Sequence, residues 1–390
     1  MDYILGLNFI MAKIRNFLYS IFGFILSFFF INKKNWIFSE LDGNGFNDNC
    51  KYMYLWLKVN KPERRTFWVT KNKKLMDSDV PDIYYFYSLK GQYVIAKSGV
   101  FFTTHGLSDI STIINSKVIH ICFWHGLPLK KIGNDTFSIH SSSKIWLLVD
   151  FITNRKKSFD VFFASSVYFS KIFSSALNLR REVIKIAEQP RLTSFAQSLH
   201  NNEKKWSKHI KVILYAPTYR DHMNIDEYYS QGILPLECEL LKLNELMVKH
   251  NCRFLIKPHP YMPTISIDRS LSNIELFDKF TDVNSLITVS DLLVTDYSGI
   301  LFDFYTLNKK VIFIQSDIKN YSLYRKGFYF NLDELEGERV LSWKSFIDDF
   351  YNLAFEDLLN KRFKGKYVAD FSALEMPNVY NLIEKTLKGK

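Results

Sequence analysis

The chain has 390 residues, 47% hydrophobic and 23% charged, with a formal charge of +11 at neutral pH. That length suits two ordinary domains or one large one, and that composition excludes a disordered or low-complexity chain. The excess of Lys and Arg asks for an anionic partner (phosphates, nucleic acid or an anionic membrane) without choosing among them.

Residues 16 to 32 carry no charge, and Lys13 and Arg15 precede them while Lys33 and Lys34 follow. With Asp2 counted, the first 35 residues hold four basic groups and one acidic, a net +3. No small-residue cleavage site follows the apolar run, which argues against a secretory signal. Asn16, Ser20, Gly23 and Ser27 recur at helical spacing and draw one narrow small-and-polar stripe. Residues 1–34 therefore read as a membrane-associating N-terminal helix. Interfacial docking on anionic head groups comes first, a single membrane span second and a buried helix third.

From Trp36 the chain alternates short apolar strands with helices. Strands are expected at 36–39, 66–70, 83–87, 100–104, 118–124, 160–164 and 183–187, with helices at 52–59, 89–98 and 166–177. Strand–helix alternation of this kind predicts parallel α/β sheet. The polar stretch Ser194–Lys208 is the expected linker. After it, strands at 212–215, 254–257, 274–277, 292–295 and 311–314 alternate with helices at 237–250, 283–290 and 300–307. Two α/β halves, 35–195 and 196–390, predict a cleft with its groups at the strand carboxyl ends.

The polar residues that draw notice stand just after apolar strands. His125 follows 118–124 in a turn with Gly126 and Pro128, a setting that suits a general base, and Lys130 and Lys131 follow as phosphate contacts. Lys257-Pro258-His259-Pro260 fixes a second histidine between prolines. Thr295-Asp296-Tyr297-Ser298-Gly299 runs from a strand into a helix bearing Asp303, so that free N–H groups and the Thr295 and Ser298 hydroxyls form a phosphate cradle. Asp296 as a simple helix N-cap and Asp303 as a solvated carboxylate are the plainer alternatives. Thr218-Tyr219-Arg220 offers a guanidinium for bidentate phosphate contact. The cysteines Cys50, Cys122, Cys238 and Cys252 form no Cys-x-x-Cys pair, which argues against both a disulfide framework and a thiolate zinc site. No metal and no cofactor is expected. A nucleic-acid partner would explain the charge but not the paired strand-end histidines.

Taken in order, Phe123–Gly133, Leu214–Asp221, Lys257–Pro260 and Ser290–Phe304 resemble the CDP-glycerol glycerophosphotransferase family, the teichoic-acid primases and polymerases. Asn35–Asn49 and Tyr324-Arg325-Lys326-Gly327-Phe328-Tyr329-Phe330 extend the likeness, which runs from about Trp36 to Phe330. The resemblance implies a GT-B-like fold of two Rossmann-like domains and transfer of glycerol phosphate from CDP-glycerol, or another CDP-polyol, to a lipid-linked or polymeric acceptor with release of CMP. It implies His125 and His259 as the catalytic residues. The implied substrate-binding set is Arg220, Thr218, Lys257, Thr295, Asp296, Ser298, Gly299, Asp303, Lys130 and Arg325. Members work at the cytoplasmic face of the membrane, in agreement with the N-terminal reading. Two departures stand out: Leu127 where the family favours Thr, and Gly299 where it favours a second Ser. The alternatives are a sugar-nucleotide glycosyltransferase or epimerase of the same architecture, and a membrane-docked scaffold for anionic polymer.

Overall fold

The computed structural model describes residues 2–136, 159–200, 210–221, 223–324, 327–355 and 375–389. They pack as two units. The first comprises the described residues up to His125, those from 159 to Ser194, and those from Glu375 onward; the second comprises Gly126–Thr136 and the described residues from Phe195 to 355.

The first unit is built on seven parallel strands: β1 (Asn32–Phe38), β2 (Arg65–Thr70), β3 (Ile83–Tyr85), β4 (Ser98–Thr103), β5 (Ile119–Cys122), β6 (Val161–Ala164) and β7 (Ile184–Ile186). Their spatial order is β3-β2-β1-β4-β5-β6-β7. The direction of winding reverses between β1 and β4, and in open α/β sheets the crevice at that switch point, beyond the strand carboxyl ends, is where ligands are held. Strand alternation sends Trp36 and Phe38 to one face and Ile37 to the other. Trp36 and Phe38 join Trp68 and Phe102 in one core, whereas Ile37, Val69 and Phe101 join a second core across the sheet. Phe38 stacks on Phe102 with ring centroids 4.3 Å apart, so the abundance of Phe is spent on covering both faces of the sheet.

Two features differ from the sequence reading. The helix Met376–Lys388 buries Val379, Tyr380 and Ile383 in the first unit's core beside Trp36, although it stands in the span assigned to the second half. The polar stretch from Ser194 is helical to His200, as part of a helix that opens at Pro190, where a missing N–H costs nothing. Residues 201–208 of the expected linker lie outside the described residues.

The N-terminal helix α1 (Asp2–Phe30) packs its small-and-polar stripe inward against the loops and helices of the first unit. Ser20 Oγ accepts from the Thr112 N–H at 3.2 Å, the Asn115 amide donates to Ser27 Oγ at 3.1 Å, and Tyr87 Oη donates to Asn16 Oδ1. A Cβ at Gly23 would come within 2.6 Å of Gln92 Oε1, so glycine permits the close approach to helix α3 (Leu89–Lys97). The opposite face leaves Leu18, Phe22, Ile25, Phe28 and Phe29 exposed. Among the described residues no helix is long and apolar enough to cross a membrane.

The second unit repeats the plan with six parallel strands: β8 (Lys211–Ala216), β9 (Cys252–Ile256), β10 (Ile274–Leu276), β11 (Leu292–Thr295), β12 (Lys310–Ile314) and β13 (Glu338–Val340). Their order, β10-β9-β8-β11-β12-β13, puts the switch point between β8 and β11. Ile213, Tyr215, Phe254, Ile256, Leu243 and Trp343 form part of its core.

Candidate active site

Each switch point gathers one constellation of polar side chains. In the first unit, β5 ends in Phe123-Trp124-His125-Gly126. Trp124 takes a left-handed backbone (φ 61°), as does Gly126 (φ 124°), and this bend turns the chain sharply around His125. The Asn49 amide, at the start of helix α2 (Asp48–Asn60), donates to the Trp124 carbonyl at 2.9 Å. Asn49 Oδ1 accepts from the Arg191 N–H at 3.1 Å, and Arg191 pairs with Asp48 at 2.8 Å. Pro190-Arg191 therefore braces the turn that carries His125.

His125 Nδ1 lies 3.3 Å from the Thr104 carbonyl oxygen. A carbonyl only accepts, so Nδ1 carries the ring proton and Nε2 keeps its lone pair. The imidazole stacks on that of His105, centroids 4.0 Å apart and planes within 3°. Desolvation by surrounding atoms, and after it repulsion from the His105 ring, lower the His125 pKa and favour the neutral form. The residue itself is exposed. His105 was not singled out in the sequence. Its signal was there in Thr104-His105-Gly106 after the strand 100–104, the same strand-end His-Gly pattern as His125-Gly126.

Beneath the stacked pair lies Asp109. Its carboxylate accepts from the backbone N–H of Thr104 and His105, each at 2.9 Å, and of Asp42 at 2.8 Å. Burial raises its pKa to about 6 despite those three donors.

In the second unit, β9 runs into Lys257-Pro258-His259-Pro260. His259 Nδ1 accepts the Tyr261 N–H at 3.2 Å, so in the neutral ring Nε2 bears the proton. This is the tautomer opposite to that of His125. The His259 ring stacks on Tyr219, 5.6 Å between centroids and 14° between planes. Lys257 is buried and donates to the Pro258 and Lys279 carbonyls at 2.8 and 2.9 Å. Desolvation pulls its pKa down to about 8.

Arg220 corrects the expectation of an open phosphate grip. Its guanidinium is 0% exposed. It makes a two-pronged contact with Asp317 at 3.1 and 3.0 Å, and it donates to Asp296 at 2.5 Å and the Thr218 carbonyl at 2.6 Å. Asp296 in turn takes the Thr218 N–H at 3.0 Å and the Tyr297 N–H at 2.6 Å. Burial pushes the Asp296 pKa up, but the charge of Arg220 and these hydrogen bonds outweigh it, and the net shift is downward. Arg220 and Asp296 thus bind each other across β8 and β11 and set the positions of Thr218 and Tyr297. Thr295 Oγ1 is likewise committed, donating to the Ala216 carbonyl at 2.7 Å, so it is no cradle hydroxyl. The Thr218 hydroxyl is different: it is buried and has no partner among the described residues.

The helix after Ser298-Gly299 is one short element, Leu301–Thr306, with no side-chain cap. Asp303 is buried in its first turn rather than solvated. A Cβ at Gly299 would run into the Leu127 carbonyl oxygen. The two departures from the family pattern, Leu127 and Gly299, are therefore neighbours, and only glycine fits the contact. Lys130 lies 5.8 Å from the Tyr321 ring centroid, on a segment that bridges to Phe328. Arg325 lies outside the described residues. Among the described residues no group of three or more His, Cys, Asp or Glu is placed to hold a metal ion.

Comparison with known proteins agrees with this layout. The family model for CDP-Glycerol:Poly(glycerophosphate) glycerophosphotransferase matches residues 21–383. The chain is 26% identical over 371 residues to the teichoic acid poly(glycerol phosphate) polymerase of Bacillus subtilis (strain 168), covering 88% of this chain and 47% of that one. It is 27% identical over 349 residues to the enzyme of the same name from Bacillus spizizenii, covering 83% and 85%. The chain thus spans about half the length of the first of these relatives and most of the second. Among solved structures, the wall teichoic acid polymerase TagF superposes with a TM-score of 0.73 at 22% identity, over 99% of this chain and 97% of that one. A variant of TagF soaked with CDPG gives 0.74 at the same identity and coverage. Those structures share the fold. With the family model matched over nearly its whole length, the chain belongs to the CDP-glycerol:poly(glycerophosphate) glycerophosphotransferase family.

Proposed function

We propose that the protein transfers glycerol phosphate, or a related polyol phosphate, from CDP-glycerol to a hydroxyl of a lipid-linked or polymeric acceptor in teichoic-acid synthesis. The observation that carries the mechanism is the opposite tautomers of the two strand-end histidines. Nε2 of His125, with its lone pair, takes the proton of the acceptor hydroxyl as that oxygen attacks the β-phosphorus. The new O–P bond forms as the bond from that phosphorus to the bridging oxygen breaks, and CMP leaves with the electron pair. The Nε2–H of His259 donates to the diphosphate, where negative charge grows. Both roles are positional and electrostatic, which is how phosphoryl transfer is accelerated. Thr218, Ser298, Lys257, Lys130 and Arg325 are read as donor-side contacts, while Arg220, Asp296, Thr295 and Asp303 hold the framework around them.

The test is CMP release by the purified protein from CDP-glycerol with a lipid-linked glycerophosphate acceptor. His125→Ala is expected to lose about 10²- to 10⁴-fold in turnover, the usual contribution of a general base. Full turnover by that variant would remove the base assignment. Substituting CDP-ribitol, or a UDP-sugar, in a thermal-shift panel sorts the polyol and the nucleotide.

The exposed face of α1 is proposed to lie in the interface of an anionic bilayer at the cytoplasmic face. Its polar stripe is already spent on the protein, leaving the Leu/Ile/Phe face exposed among the described residues, with Arg15 on the helix and Lys33 and Lys34 just beyond it. Co-sedimentation with phosphatidylglycerol vesicles should be lost on Leu18→Glu plus Phe22→Glu while the melting temperature stays unchanged. Retained binding would place the membrane contact elsewhere.

A further inference from the structure

We propose that His105 is the positioning residue of this site, its imidazole plane fixing the orientation and the neutral state of His125. The inference rests on the reading of His125 as the base, and it concerns a residue which that reading does not use. Three observations carry it. The two rings are coplanar within 3° at 4.0 Å, closer than the stacking of His259 on Tyr219 at 5.6 Å and 14°. His105 stands at the end of β4, on the β1/β4 switch point of the first sheet. Its own position is over-determined: Asp109 holds its backbone N–H and that of Thr104, and Thr104 Oγ1 lies 3.0 Å from its Nδ1.

Such a plane does two things for a base. It removes rotation about the His125 side chain, so that Nε2 keeps one direction while Nδ1 stays on the Thr104 carbonyl. It also makes double protonation of the pair unfavourable, since two stacked imidazoliums repel at contact distance. The charged groups around the pair set which ring takes the first proton. Asp109 Oδ1 is 3.9 Å from His105 Nδ1. Asp42 and Asp48 face His105, while Asp48 and Asp109 face His125. Lys71 donates to the Asp42 and Ser108 carbonyls, and its charge faces Asp109 and Asp42. His105, with the Asp109 carboxylate 3.9 Å from its Nδ1, is assigned the first proton, and His125, lowered by burial and by the facing ring, stays neutral and able to accept.

The test is an NMR titration of the imidazole Cε1–H resonances in full-length protein, paired with CMP-release kinetics. In His105→Ala the His125 titration should move up by about one pH unit, toward its ordinary range. The acid limb of the rate profile should follow it. Loss of orientation should lower kcat by about 10- to 100-fold, with the KM for CDP-glycerol little changed. His105→Phe keeps a flat ring without a charge; it should restore most of kcat while leaving the titration raised, and it carries the test should the alanine variant fail to fold. An unchanged His125 titration together with unchanged kcat in both variants overturns the inference. If instead His125→Ala keeps full turnover while His105→Ala still moves the His125 titration, the base reading fails and the coupling of the two rings stands.

Discussion

The two sheets share one strand order and end in opposite kinds of chemistry. At the first switch point stand two stacked imidazoles held toward neutrality, with an exposed edge. At the second, a guanidinium and two carboxylates close on each other in full burial. The first arrangement leaves a lone pair to spend on a substrate. The second spends its charges on itself and so fixes the loops after β8 and β11, leaving the hydroxyl of Thr218 over. A fold that repeats need not repeat its function: the first crevice carries a stacked imidazole pair, the second a closed ion-pair frame with Lys257 and His259 following the neighbouring strand β9.

The sharpest way to break that contrast is to remove the guanidinium. Arg220→Ala leaves Asp296 and Asp317 buried without a cation, and the loss of stability at neutral pH should be about 3–5 kcal/mol, read from urea midpoints. An open phosphate grip would show the reverse, weak donor binding with intact stability. The pH slope should also change sign. In the native protein the Asp296 pKa is held below its ordinary 3.8. The unfolded chain then binds more protons than the folded one as pH falls through that range, so this contribution is present above pH 3.8 and is lost below it. Without Arg220, burial dominates and raises the folded pKa of Asp296. Relative to the native protein, the variant should then gain stability as pH drops from 7 toward 5.

A smaller effect is expected at the contact between the two departures from the family pattern. Gly299→Ala drives a methyl group into the Leu127 carbonyl, and the overpacking should cost about 1–3 kcal/mol. An unchanged melting temperature would mean that the 126–136 segment yields freely.

How much of this could be read from residues alone follows from the range of the interactions. Strands with continuous apolar runs, such as 100–102, 212–215 and 292–294, announce themselves because parallel strands are buried on both faces. The strand Glu338–Val340 does not: three residues, two of them charged, join the sheet through pairing with Ile312–Ile314, and Arg339 is anchored by the Gly337, Leu332 and Leu335 carbonyls. The return of Met376–Lys388 to the first unit is invisible locally, since its partner Trp36 lies 340 residues before the helix begins. His125 and His259 were legible as strand-end histidines beside Gly and Pro. The commitment of Arg220 was not, because Asp317 is 97 residues away and a buried ion pair and an open phosphate site use the same side chain. His105 was legible in principle by its repeat of the His-Gly pattern, but its stacking depends on the adjacency of β4 and β5.

The finest test separates frame from site inside the second constellation. Thr218 donates its backbone N–H to Asp296 and offers its carbonyl to Arg220, so its main chain belongs to the frame. Its hydroxyl does not. Thr218→Val keeps the shape and the backbone contacts and deletes a buried group with no partner among the described residues. Removing an unsatisfied hydroxyl should leave stability within about 0.5 kcal/mol of native or raise it slightly. If that hydroxyl meets the donor nucleotide, the same change should raise the KM for CDP-glycerol about tenfold, the equivalent of one hydrogen bond of 1.4 kcal/mol, with kcat held. A loss of stability with unchanged KM would put the hydroxyl in the frame and move the donor contact away from β8. Because Arg220→Ala and Thr218→Val act on one loop and predict opposite pairs of readouts, they decide together which of its atoms hold the fold and which await a substrate.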